Sequence, residues 1–146
     1  MPRDRVAAID CGTNSIRLLV TDISDGTSAE LVREMRIVRL GQGVEATGRL
    51  APEAIDRTLQ ATREYAELIA MLGAQRVRFC ATSGGRGAGD ADDVADGVES
   101  ILGVRPQVLS GEEEALASFV GATRGLEPHR ALVLDIGGGS TELVVG

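Results

Sequence analysis

Lysine is missing from this chain: all 15 of its permanently cationic side chains are arginine. Its absence removes the Walker-type phosphate loop, whose lysine reaches the phosphates. It also removes Schiff-base chemistry. Histidine occurs once, as His129, behind a proline in a loop-like stretch where it reads as an exposed linker residue. A Ser-His-Asp or HExxH mechanism therefore has little to stand on. Aromatic residues make up only 2% of the chain, so a core has to be built from Val, Leu, Ile and Ala. The two cysteines, Cys11 and Cys80, lie at strand ends without CxxC spacing, and a disulfide scaffold needs more cysteines in a smaller domain. Positive charge is in deficit: the net charge of −7 gives no support to nucleic-acid binding. No apolar run is long enough to span a bilayer, and no signal-like region precedes the first strand. The expectation is a cytoplasmic protein with neither a nucleic-acid nor a membrane partner.

What remains is enough for one compact domain and little more, at 146 residues. Residues 6–9 form an apolar run ending at Asp10, and the polar loop Cys11-Gly12-Thr13-Asn14-Ser15 follows. Residues 16–23 and 29–40 read as two further strands around a turn, and connections this short predict an antiparallel meander. Residues 41–48 are glycine-rich and read as a loop. Pro52 and Glu53 then open a helix with Ile55, Leu59, Thr62, Ala66 and Ile69 along one buried face and Gly73 at its end. Residues 76–81 read as a buried strand and 90–102 as a second helix. The acids of that helix, Asp90, Asp92, Asp93 and Asp96, suit its positive end rather than a metal. Residues 106–109 form a short strand. Ser110 then caps a third helix, with Glu113 three residues on in a capping-box arrangement. Residues 132–134 form a strand ending in Asp135, and a glycine-rich turn leads to a last strand over 141–145. The order βββαβαβα, followed by the start of another ββ, predicts an α/β domain with a mixed sheet flanked by helices. That layout is typical of the ribonuclease-H-like, actin-like ATPase fold.

The chain repeats itself. A shift of 125 positions lays Ile9-Asp10-Cys11-Gly12-Thr13-Asn14-Ser15 over Leu134-Asp135-Ile136-Gly137-Gly138-Gly139-Ser140, with Leu18 over Leu143 and Val20 over Val145. Each copy is a strand, a tight polar turn and a returning strand. Glycines let backbone N–H groups approach an anion, and hydroxyls add donors. An aspartate at the strand end repels phosphate but holds Mg²⁺, which neutralises it. Two such hairpins facing one cleft would make a site for a metal-bound phosphate. Arg17, which lies over Glu142 in the repeat, is either a phosphate ligand or a solvated strand residue. Arg33, Arg36 and Arg39 read as a solvated edge.

These residues resemble the exopolyphosphatase / guanosine pentaphosphate phosphatase (Ppx/GppA) family. The first turn is similar to its DxGxNS motif, Ala81-Thr82-Ser83 with Arg86 to its ATSxxR segment, and residues 110–115 to its SGxEEA helix start. Residues 135–142 match DIGGGSTE without a mismatch. The resemblance implies hydrolysis of a terminal phosphate from inorganic polyphosphate, or of the 5′-phosphate of guanosine pentaphosphate, with Mg²⁺. It implies Glu113 as the general base, or alternatively only as a helix cap, and Glu142 as a residue positioning water or metal. Asp10 and Asp135 would bind the metal. Gly137, Gly138, Gly139 and Ser140 would cradle phosphate, with Asn14, Ser15 and Arg86 opposite.

Two departures qualify the match. Residues 83–90 are far richer in glycine than the family's pattern, and Gly87 stands where an aspartate would orient Arg86. Family members also continue beyond the second turn. The chain is therefore expected to hold one domain, residues 1–126, and the start of a second, residues 127–146. By itself it would have little activity, and its exposed final hairpin would invite a homodimer. Two other readings stay open: a non-enzymatic phosphate or nucleotide sensor of the same fold, and an ATP-using kinase of that fold.

Overall fold

The computed structural model describes residues 3–82, 90–127 and 130–146. Arg86, Gly87 and His129 lie outside the described residues. Strands β1 (Asp4–Cys11), β2 (Ser15–Ser24) and β3 (Thr27–Ile37) form the antiparallel meander. Asp25 and Gly26 join β2 to β3 with φ of 48° and 76°. This Asp-Gly pair, with both φ values positive, suits the twist of a two-residue hairpin.

β3 ends earlier than the apolar pattern predicts. Arg39 takes φ 51° and the chain leaves the sheet. Val38 and Arg39 N–H donate to the Asn14 carbonyl, and Gly41 N–H to that of Thr13, each at 2.9 Å. The exit of β3 is thereby tied to the first polar turn. Helix α1 (Val44–Thr47), a single turn, follows where a loop was expected; four residues are too few to show a helical period.

Helix α2 (Pro52–Leu72) leads to β4 (Arg76–Ala81), α3 (Ala91–Leu102), β5 (Gln107–Val108) and α4 (Gly111–Thr123). β4 pairs parallel to β1, and β5 parallel to β4, giving the order β3-β2-β1-β4-β5. One sheet face carries Ala7, Ile9, Cys11, Ile16, Leu18, Val20 and Phe79, all buried. α2 covers it with Ala61, Tyr65 and Ile69, and α3 with Val94 and Val98. Burying one such aliphatic side chain contributes about 1.5–3 kcal/mol. The Tyr65 hydroxyl, buried here, donates to the Ile16 carbonyl at 3.0 Å.

β6 (Leu132–Ile136) and β7 (Thr141–Val145) form a separate antiparallel pair on which α4 packs. Asp135 and Glu142 are half-buried, whereas Leu132, Leu134, Ile136, Leu143 and Val145 are exposed. In the repeat these five lie over Ala7, Ile9, Cys11, Leu18 and Val20, which the first hairpin buries beneath α2 and α3. Among the described residues, no helix is long and apolar enough to cross a membrane.

Candidate active site

The two turns match down to their hydrogen bonds. In the first, Gly12 N–H donates to the Ser15 carbonyl at 2.9 Å; in the second, Gly137 N–H donates to the Ser140 carbonyl at 2.9 Å. The strand registers match as well. Asp10 lies opposite Arg17 and Cys11 opposite Ile16, as Asp135 lies opposite Glu142 and Ile136 opposite Thr141. Cross-strand partners share a face, so the first hairpin presents an acid with a base and the second an acid with an acid.

The turns meet. A Cβ placed on Gly138 would stand 3.0 Å from Asn14 Cβ and 3.3 Å from Thr13 Cβ. Glycine at 138 is thus what lets the two backbones come together. This is the juxtaposition expected from the repeat, and it brings Asn14 against the Gly137-Gly138-Gly139-Ser140 turn.

Beside this contact, on the sheet face not covered by α2, opens a cleft of about 650 Å³. Asp10, Arg17, Arg33, Cys80 and Thr82 line it from the sheet, Glu114, Ala117 and Ser118 from α4, and Asp135 from β6. The Asp10 carboxyl lies above its ordinary value: desolvation raises it, Arg17 pulls it down, and the Asp135 charge raises it again. Two carboxylates that repel one another across a cleft are a place for a cation. Among the described residues no group of three His, Cys, Asp or Glu side chains is placed to hold a metal. A pair of aspartates still fits Mg²⁺, which is commonly held by one or two carboxylates together with substrate phosphates and water.

The cysteines are poorly suited to nucleophilic work. Burial pushes the Cys11 thiol up to about 12, with Asp10 adding to the effect. The Cys80 thiol is also raised, chiefly by desolvation, although Arg78 pulls it down. Neither is a thiolate at neutral pH.

The acids of α4 divide their tasks. The Glu113 carboxylate accepts from Ser110 N–H at 2.8 Å, and Glu113 N–H donates to Ser110 Oγ at 3.1 Å, closing the capping box. Glu113 does not line the cleft; Glu114 does. Glu114, Ala117 and Ser118 follow helical spacing and share a face. Ser118 Oγ donates to Asp135 Oδ2 at 2.5 Å. Glu114 and Ser118 are the cleft residues that the motif reading missed. The available signal was helical period: with Glu113 committed to the cap, the face running through 114, 117 and 118 is a different one. Of the other expected site residues, Glu142 stands beside Asp135, while Ser15 supplies the carbonyl that closes the first turn. Arg86 belongs to the segment outside the described residues.

A five-stranded mixed sheet with helices, whose opening hairpin recurs after α4, defines a protein of the ribonuclease-H-like, actin-like fold class. Within that class the chain belongs to the Ppx/GppA phosphatase family, whose model matches residues 19–146. Exopolyphosphatase 2 of Mycobacterium tuberculosis is 49% identical over an alignment covering 100% of this chain and 49% of that protein. The crystal structure of an exopolyphosphatase-like protein superposes with a TM-score of 0.94 at 47% identity, covering 100% of this chain and 46% of that one. An Aquifex aeolicus Ppx/GppA family member gives 0.86 at 36% identity, covering 99% and 48%. The chain spans about half the length of the curated relatives it matches.

Proposed function

We propose that this protein hydrolyses the terminal phosphate of inorganic polyphosphate. The observation that carries this reading is the meeting of the two acid-and-glycine turns beside one cleft that holds Asp10 and Asp135. Relatives named exopolyphosphatase support the choice of substrate. Two arginines in the cleft, Arg17 and Arg33, suit a polyanion.

Phosphoryl transfer needs positioning and charge neutralisation more than covalent chemistry. Gly138 and Gly139 would offer backbone N–H groups to the terminal phosphate, the Gly137 N–H being bonded to the Ser140 carbonyl. Asn14 and Ser15 would stand beside it, Asn14 in contact with Gly138. Asp10 and Asp135 are the residues that would hold Mg²⁺, with Glu142 beside them. When bound, that ion supplies neutralisation of the phosphate charge. Glu114, on the helix face that lines the cleft, takes the proton of the attacking water as the new P–O bond forms. The bridging P–O bond breaks, and its electron pair leaves on the shortened polyphosphate. Glu113, engaged in its capping box, keeps α4 in place.

Phosphate release by the full-length protein, with Glu114→Gln set against Glu113→Gln, tests this assignment. General-base removal costs roughly 10²–10⁴-fold in turnover, so Glu114→Gln is expected to fall by at least about 10²-fold. Glu113→Gln should retain turnover within severalfold, because a glutamine at that position still completes a capping box. The opposite pattern, with Glu113→Gln silent and Glu114→Gln active, overturns the assignment. Hydrolysis of guanosine pentaphosphate but not of polyphosphate would overturn the choice of substrate.

A further inference from the structure

We propose that Ser118 is a positioning residue that holds the Asp135 carboxylate in its cation-binding orientation and thereby couples helix α4 to the second turn. The inference rests on the reading of Asp135 as a metal ligand given above. The Ser118 hydroxyl makes an unusual choice of acceptor. Serine and threonine inside a helix commonly bond back to the carbonyl four residues earlier. Thr58, Thr62 and Thr123 do so here, at 2.8, 2.8 and 2.7 Å. Ser118 instead reaches out of its helix to Asp135 Oδ2, across a separation of 17 residues. Its acceptor is a carboxylate oxygen, and hydrogen bonds to an ionised carboxylate are the stronger kind.

The two aspartates differ in what holds them. Asp10 lies in β1, between β2 and β4 of the five-stranded sheet, where strand neighbours on both sides fix its backbone. Asp135 lies near the end of β6, whose strand partner among the described residues is β7. The outer face of that pair is exposed. The support for Asp135 from the inner side is α4, and Ser118 is where α4 bonds its side chain. A hydroxyl bonded to Oδ2 fixes the rotation of the carboxylate and leaves Oδ1 as the oxygen to take a cation. Ser118 also lies one turn beyond Glu114 on the cleft-lining face of α4. One rigid helix thus sets both the proposed base and the orientation of the second acid. Mg²⁺ demands near-ideal geometry, and loss of a group that orients a ligand typically costs 10–100-fold in metal affinity.

The test uses the full-length protein and Mn²⁺ as the probe, with binding read by electron paramagnetic resonance in the presence and absence of tripolyphosphate. Ser118→Thr keeps the hydroxyl; Ser118→Val has the same shape as threonine without it. Ser118→Ala provides a second hydroxyl-free variant should valine disturb the helix. The hydroxyl-free variants are expected to bind Mn²⁺ about 10-fold or more weakly, while threonine restores binding toward the wild-type value. Equal binding by the threonine and valine variants overturns the proposal, as does a wild-type protein that binds no Mn²⁺. Phosphate release is measured in parallel. Mn²⁺ affinity that follows the hydroxyl without any polyphosphate hydrolysis sinks the proposed function and leaves Ser118 in its role. Strong hydrolysis with no effect of the hydroxyl does the reverse.

Discussion

Asp10, proposed above as a metal ligand, shows how a charged cleft residue weighs on its own fold. Its carboxyl titrates above the ordinary carboxylate value, chiefly through desolvation and with the Asp135 charge adding to it. Between the ordinary value and the folded one, the folded chain holds a proton that the unfolded chain has lost, so stability falls as pH rises through that interval. At neutral pH the ionised Asp10 is therefore a net liability to the folded state. Asp10→Asn is expected to melt at the same temperature as the wild type or higher at pH 7, with the difference vanishing in acid below the ordinary carboxylate range. The same substitution should abolish divalent-ion binding, a trade of stability against function that is common at such sites. A variant that melts markedly lower at pH 7 contradicts this account. At this scale the motifs indicated which turns meet but not every side chain beside them. Asp10, Asp135 and the glycines stand where turns of that composition imply. Glu113 was legible both as a cap and as a base, because one short string of acids satisfies both patterns. Only the geometry of α4 shows that the cap engages Glu113 and the cleft receives Glu114. Ser118 carries no motif, and its role depends on a partner 17 residues away.

The elements were more legible than the side chains. β4 and β7 span the residues expected of them, but β4 buries Phe79 alone rather than its whole length, its arginines pointing outward. α2 runs from its proline to its glycine cap. On its buried face Ala54, Thr58, Ala61 and Tyr65 join Thr62 and Ile69, where Ile55, Leu59 and Ala66 were expected, because the small residues admit the close approach to the sheet. The repeat was visible as letters and recurs as matching turns and registers. What the pattern could not supply were the irregular pieces. α1 is too short for a period, and β3 stops at Ile37 because tethers to Thr13 and Asn14 override its strand propensity. The closure of α2 over the first hairpin depends on a detail of the same kind, the buried bond from Tyr65 to the Ile16 carbonyl. Tyr65→Phe is expected to lower unfolding stability by about 1–2 kcal/mol, the cost of losing a buried hydrogen bond. Chemical denaturation checks it: a shifted midpoint with an unchanged slope is predicted, and an unmoved midpoint contradicts the packing described here.

For the molecule as a whole, the two hairpins occupy different surroundings. The first belongs to a five-stranded sheet with helices sealing one face; the second is a two-stranded pair with an apolar outer face exposed. The relatives extend to about twice the span of this chain. The two turns nevertheless meet beside one cleft, and a chemical crosslink reads that contact directly. Asn14→Cys combined with Gly138→Cys in the full-length protein places two thiols where the Cβ positions are 3.0 Å apart. A disulfide requires about 3.5–4.5 Å, so a shift of a few tenths of an ångström would admit the bond. Mild oxidation followed by peptide mapping is expected to give a 14–138 disulfide in most molecules, with Cys11 and Cys80 remaining reduced. Little or no 14–138 linkage, or linkage only between molecules, would contradict the account.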